Sequence, residues 1–177
     1  VALDWYDTVF ELIDMRSFSN LWYWIALAVT WSTASHWVLG VPWDMAIRAR
    51  KADGGEAMRD FEDMVRINTN RILFVARESG LVLAGLIAFA VTSVALLGFV
   101  YGNEFAQAIF LLGFPLLLVA MLSLRTAHII QDQALAGEAL VKRIQRQRLQ
   151  IQLIGMASIF VTAIWGMYQN MNANVLS

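Results

Sequence analysis

Four stretches of the chain are apolar for close to twenty residues each, with polar segments of unequal length between them. They run from Leu21 to Trp43, from Gly80 to Tyr101, from Phe105 to Leu124 and from Ile151 to Tyr168. None carries Asp, Glu, Lys or Arg in its interior. A helix of about 20 mostly apolar residues, rising 1.5 Å each, crosses a hydrocarbon core about 30 Å thick. The pattern therefore predicts an all-α polytopic membrane protein with four transmembrane helices. Pro115 falls inside the third run and is expected to kink it.

The polar segments carry helical periodicity of their own. In residues 1–20, Asp4, Asp7, Glu11 and Asp14 recur at spacings of three and four, with Tyr6, Val9, Phe10 and Ile13 on the other side. That is the signature of an amphipathic helix lying on the outer membrane surface. A signal peptide would open with basic residues and an apolar core instead. Residues 56–79 place Met58, Phe61, Val65, Ile72 and Val75 at helical spacing, and residues 138–150 do the same with Leu140, Val141, Ile144 and Leu149. Both are predicted to continue their spans as cytoplasmic helical extensions of about 20–30 Å. Asp53-Gly54-Gly55 and Gly137 supply the turns. The organisation expected is an outer helix, 1–20, followed by a four-span domain, 21–177.

Charge then orients the chain. All of its 13 basic residues except Arg16 lie in the segments between the first and second and between the third and fourth runs. Short loops rich in Lys and Arg stay in the cytoplasm. The N- and C-termini are therefore expected on the periplasmic side of a bacterial inner membrane. The segment Arg66-Ile67-Asn68-Thr69-Asn70-Arg71-Ile72 also resembles Arg143-Ile144-Gln145-Arg146-Gln147-Arg148-Leu149, and the same offset pairs Arg48 with Arg125. This suggests a parallel two-helix repeat; juxtamembrane convergence gives the same pattern. Small residues recur every fourth position at Ala26, Thr30 and Ala34, at Ala84, Ala88 and Thr92, and at Ser158, Thr162 and Gly166, which predicts close helix packing in lipid.

Composition narrows the chemistry. Hydrophobic residues make up 59% and charged residues 15%, against about 45–50% and 25% in soluble domains. A net charge of −1 argues against nucleic acid as a partner. No cysteine is present, so no disulfide, thiolate nucleophile or cysteine-held cluster forms. No Walker loop, GxSxG or HExxH occurs, and no enzymatic activity is expected.

His36 is the one ionisable residue within an apolar run. A neutral imidazole bonded to a neighbouring hydroxyl or carbonyl explains it. So does a ligand to a flat macrocycle, because Ser32 lies one turn away and Trp31 and Trp37 flank it. The only other histidine is His128, about 15 Å away in depth at 1.5 Å per residue, so one haem iron would not bridge the two within a single chain. Trp31 and Trp37 lie too deep for the interfacial belts and are candidates for a partner interface. Asp4, Asp7, Glu11 and Asp14 are candidate contacts for a basic outer-side protein; a hydrated polar face is the simpler reading. Lys142, Arg143, Arg146 and Arg148 are candidate contacts for anionic membrane lipids.

Two resemblances add to this. The arrangement Ser32 to His36 with nearby tryptophans is similar to that in light-harvesting polypeptides, which implies bacteriochlorophyll magnesium as a ligand for His36. The stretches Asp4-Trp5-Tyr6-Asp7-Thr8-Val9-Phe10-Glu11-Leu12-Ile13-Asp14 and Trp31-Ser32-Thr33-Ala34-Ser35-His36-Trp37 resemble a family of small alphaproteobacterial inner-membrane proteins. That family is labelled a component of the SUF (SufBCD) iron–sulfur assembly complex. The resemblance implies an inner membrane rich in electron-transfer complexes, while the chain holds no cysteine on which sulfur could move. The first functional reading is a non-catalytic accessory subunit packing against a larger photosynthetic or respiratory membrane complex. The alternative is a cofactor protein holding bacteriochlorophyll or haem at His36. The third is an oligomeric channel or transporter.

Overall fold

A computed structural model describes residue 18, residues 21–51 and residues 55–175. The expected amphipathic helix, with Asp4, Asp7, Glu11 and Asp14, lies outside the described residues, as does most of the Asp53-Gly54-Gly55 turn. The helices are α1 (Leu21–His36), α2 (Trp43–Lys51), α3 (Glu56–Ala95), α4 (Glu104–Asp132) and α5 (Gly137–Val175). Two short strands, β1 (Trp37–Val38) and β2 (Val41–Pro42), pair antiparallel between α1 and α2.

Three helices are long and apolar enough to cross a membrane: α3 with its π-helical extension to Val100, α4, and α5 as far as Met171. The first apolar run differs from the expectation. Its helix closes at His36 after 16 residues, not at Trp43. Gly40, Val41 and Pro42 break it, because proline has no N–H to give and pushes its predecessor out of the helical region. Leu39 (φ 56°) and Gly40 (φ 75°) then form the two-residue turn of the hairpin. A left-handed leucine costs about 1–2 kcal/mol. Leu39 is buried, which returns about 1.5–3 kcal/mol.

Both extensions fold as expected: α3 runs unbroken through residues 56–79 and α5 through 138–150. In α3 the buried ridge is Phe61, Val65, Thr69 and Leu73, strict fourth positions. It joins Val38, Val41, Ala46 and Ala49 from the hairpin and α2, and Leu140, Val141, Ile144 and Ile151 from α5. Most of the buried apolar core therefore sits at the basic end of the molecule.

Farther along, the helices form a row. α3 packs on α4, α4 on α5, and α5 on α1. None of the most apolar window of α3 is buried, against 17% in α4 and 28% in α5, so α3 is the edge of the row. The small-residue ladders sort accordingly. Ser158, Thr162 and Gly166 are buried, as expected. Ala84, Ala88 and Thr92 are exposed, and α1 packs through Leu27 and Trp31 more than through Ala26 and Thr30.

Two polar devices lock the row. α4 continues through Pro115, which deprives the Leu111 carbonyl of its usual donor. The Ser158 hydroxyl donates to that carbonyl at 3.3 Å, so one rung of the α5 ladder repairs the backbone of α4. At the α3–α4 turn, the π-helical stretch Leu96–Val100 brings Gly98 against Gln107, where a Cβ would lie 2.9 Å from the Gln107 nitrogen. The Gln107 amide donates to the Gly98 carbonyl at 2.8 Å, and its oxygen accepts from Trp165 Nε1 at 2.9 Å and from Gln169 Nε2. One buried side chain thus ties three helices.

Candidate functional site at the basic end of the bundle

The residues singled out in the sequence part company in the structure. His36 is the last residue of α1 and is exposed. It makes an edge contact with the Trp37 ring, 6.0 Å between centroids, and no hydrogen bond to a described residue. It is therefore a helix-end residue rather than one inside a helix that continues to Trp43. No group of three metal-ligating side chains occurs among the described residues.

Trp31, expected on a partner surface, is buried within the chain, and this corrects that expectation. Gly155 of α5 makes the room: a Cβ there would lie 2.8 Å from Trp31 Cε3. Trp37 is half exposed, beyond the end of α1.

The basic residues separate most clearly. Lys142 pairs with Glu138 one turn earlier, at 2.8 Å on the exposed face of α5. Arg148 points inward. Its Nε donates to the Ser35 carbonyl at 3.1 Å, and its guanidinium lies 4.6 Å over the Trp43 ring. That bond and cation–π contact fasten α5 to the end of α1 and the start of α2. Of the four basic residues read as lipid contacts, these two are committed to partners within the chain.

Arg143 and Arg146 are different, and Arg125 of α4, which the sequence reading used for topology and for the two-helix repeat, joins them. Arg143 donates to Thr126 Oγ1 across the α4–α5 interface at 3.1 Å, and its Nε is buried without a partner among the described residues. Desolvation, then the charges of Arg146 and Arg125, hold its guanidinium below the ordinary arginine value. None of the ion pairs among the described residues includes any of the three. Arg125 also lines a groove of about 500 Å³, with Gln150 at its polar edge and Leu118, Leu122 and Leu153 among its walls. Gln147 donates to Ser123 Oγ at 2.9 Å and completes a polar layer between α4 and α5. The signal in the sequence was the position of Arg125, one residue past the third apolar run, facing the arginines of the last segment across one turn of chain.

A second cavity of about 380 Å³ lies between α3 and the α4–α5 turn, lined by Glu62, Asp63, Arg66, Thr69 and Gln131. Its charges are already spent: Arg66 pairs with Asp63 at 2.9 Å, and Glu62 accepts from the Gly137 N–H that opens α5. This arrangement closes the turn. No known protein family, curated protein or solved structure matches the chain.

Proposed function

We propose that the chain is a non-catalytic, four-span accessory subunit of a larger energy-transducing complex in a bacterial inner membrane. Its termini face the periplasm and its basic end the cytoplasm. α1, about 24 Å long at 1.5 Å per residue, serves as the fourth and shortest span. One observation carries the reading. Every residue of α3 from Leu81 to Ala90 is exposed, and Ala84, Gly85, Ala88 and Thr92 give that face a shallow relief. At Gly85 a Cβ would meet nothing within 4 Å. In lipid, such small faces let a second backbone approach closely, and dispersion then favours association. The occupant proposed is a transmembrane helix of the larger complex. Spans without acidic or basic side chains support a packing role over ion or proton conduction.

The test is photo-crosslinking in native membranes from a reactive amino acid at Ala88, followed by mild extraction, native-gel separation and mass spectrometry. Migration with a cytochrome- or pigment-containing complex, with a crosslink from Ala88 to one of its helices, is the expected result. Migration alone, without a crosslink, overturns the reading.

A further inference from the structure

We propose that the groove between α4 and α5 at the basic end binds one anionic phospholipid. Arg125, Arg143 and Arg146 hold the phosphate, and an acyl chain lies along Leu118, Leu122 and Leu153. The proposal rests on the reading that the chain crosses a membrane, and it is independent of any partner complex.

Three observations converge on it. Arg143 and Arg146 stand three residues apart on α5, Arg143 bonds to Thr126 next to Arg125 on α4, and none of the three is in an ion pair among the described residues. Like charges held together in that way are costly unless an anion joins them. The crowding is built into the interface, because Arg143 is fixed by its bond to Thr126 on α4, next to Arg125. A guanidinium is a strong, often bidentate donor to phosphate. Arg125 lines the edge of an open, mainly apolar groove of about 500 Å³, and Arg146 and Arg143 stand one and two turns before Gln150 on its other wall. Leu118 to Arg125 covers seven residues of α4, about 10 Å along the helix axis. Cationic edge and apolar trough follow one another in the order of a phospholipid's headgroup and tail. Free phosphate would use only the first of these. The pairing also explains why Lys142 and Arg148 stand apart from the cluster, since each already has a partner.

The experiment is native mass spectrometry of the full chain in mild detergent, titrated with phosphatidylglycerol or phosphatidylcholine. The expected result is one saturating phosphatidylglycerol adduct and no comparable phosphatidylcholine adduct. Arg125 and Arg146 are exposed, so Arg125→Gln and Arg146→Gln leave the core intact. Each is expected to weaken retention roughly fivefold, the equivalent of about 1 kcal/mol per basic residue near an anionic surface. A control with Arg59→Gln and Arg71→Gln removes two charges from exposed positions of α3 and is expected to bind as the unaltered chain does. Met121→Trp, at a half-exposed groove position, fills the trough and is expected to reduce retention by at least the same factor. Equal losses in the α3 control would show diffuse surface charge and overturn the site. Displacement of the lipid by inorganic phosphate at equal concentration, or undiminished binding to Met121→Trp, would overturn the lipid assignment. Neither result would bear on docking to a larger complex, which the native-gel experiment tests separately.

Discussion

Replacing Gln107 by leucine tests whether one buried amide holds the α3–α4 turn end of the row together. Gln107 is 4% exposed, so a leucine of similar size fits the space and the change is mainly electrostatic. Three bonds vanish: to the Gly98 carbonyl, from Trp165 Nε1 and from Gln169 Nε2. Side-chain hydrogen bonds between membrane helices average about 0.6 kcal/mol each and reach about 1.7 kcal/mol. Three of them sum to about 2 kcal/mol, and the Gly98 carbonyl, which loses its side-chain donor, adds to the loss. A loss of about 2 kcal/mol lowers the folded-to-unfolded ratio about thirtyfold. The assay is reversible unfolding in mixed micelles followed by circular dichroism. A double-mutant cycle with Trp165→Phe should give a coupling of about 0.6–1.7 kcal/mol. The exposed Gln145→Leu serves as control and should change little. A loss below about 0.5 kcal/mol, or a cycle with no coupling, would refute the clamp.

Ser158→Ala should cost about 1 kcal/mol by leaving the Leu111 carbonyl without a donor. In a Pro115→Ala background the backbone N–H is restored and the same substitution should become nearly neutral in the micelle assay; additive losses would contradict the repair. Gly155→Ala drives a Cβ into the rigid Trp31 ring. Overpacking of about 1–3 kcal/mol should outweigh alanine's helix preference of about 1 kcal/mol, and Trp31→Leu should abolish the loss in the thermal melt. At Glu138, a hydrogen bond from Lys142, and then its charge, hold the carboxyl below its ordinary value. Its small contribution to α5 is therefore full above the unfolded carboxyl pKa and fades as pH falls through the folded one. In a nuclear magnetic resonance titration, Lys142→Met should raise the Glu138 midpoint, and an unmoved midpoint would remove the pair from the account.

The length of an apolar run and the period of its polar flanks are local properties, so the sequence by itself determined a helical chain with long apolar helices. It also determined the unbroken extension of α3 and α5 past their apolar parts, since Phe61, Val65, Ile144 and Ile151 repeat at helical spacing whatever they touch. The end of α1 at His36 was legible too, in Gly40-Val41-Pro42. A hydropathy reading passes over it, because those residues are apolar and the break is a matter of backbone geometry.

Which face of each helix meets which was decided only by the tertiary structure. Ala84, Ala88 and Thr92 repeat as regularly as Ser158, Thr162 and Gly166, but one ladder is open and the other buried, because α3 lies at the edge of the row and α5 in its middle. The arginines are sorted in the same way. Arg146 and Arg148 are two positions apart on one helix and carry the same charge. Arg148 meets Ser35 and Trp43, more than a hundred residues away in the chain. Arg146 meets the field of Arg143, beside Arg125 of α4. Sequence spacing sets the side of the helix on which a charge stands, and only the packing of distant segments supplies or withholds its partner.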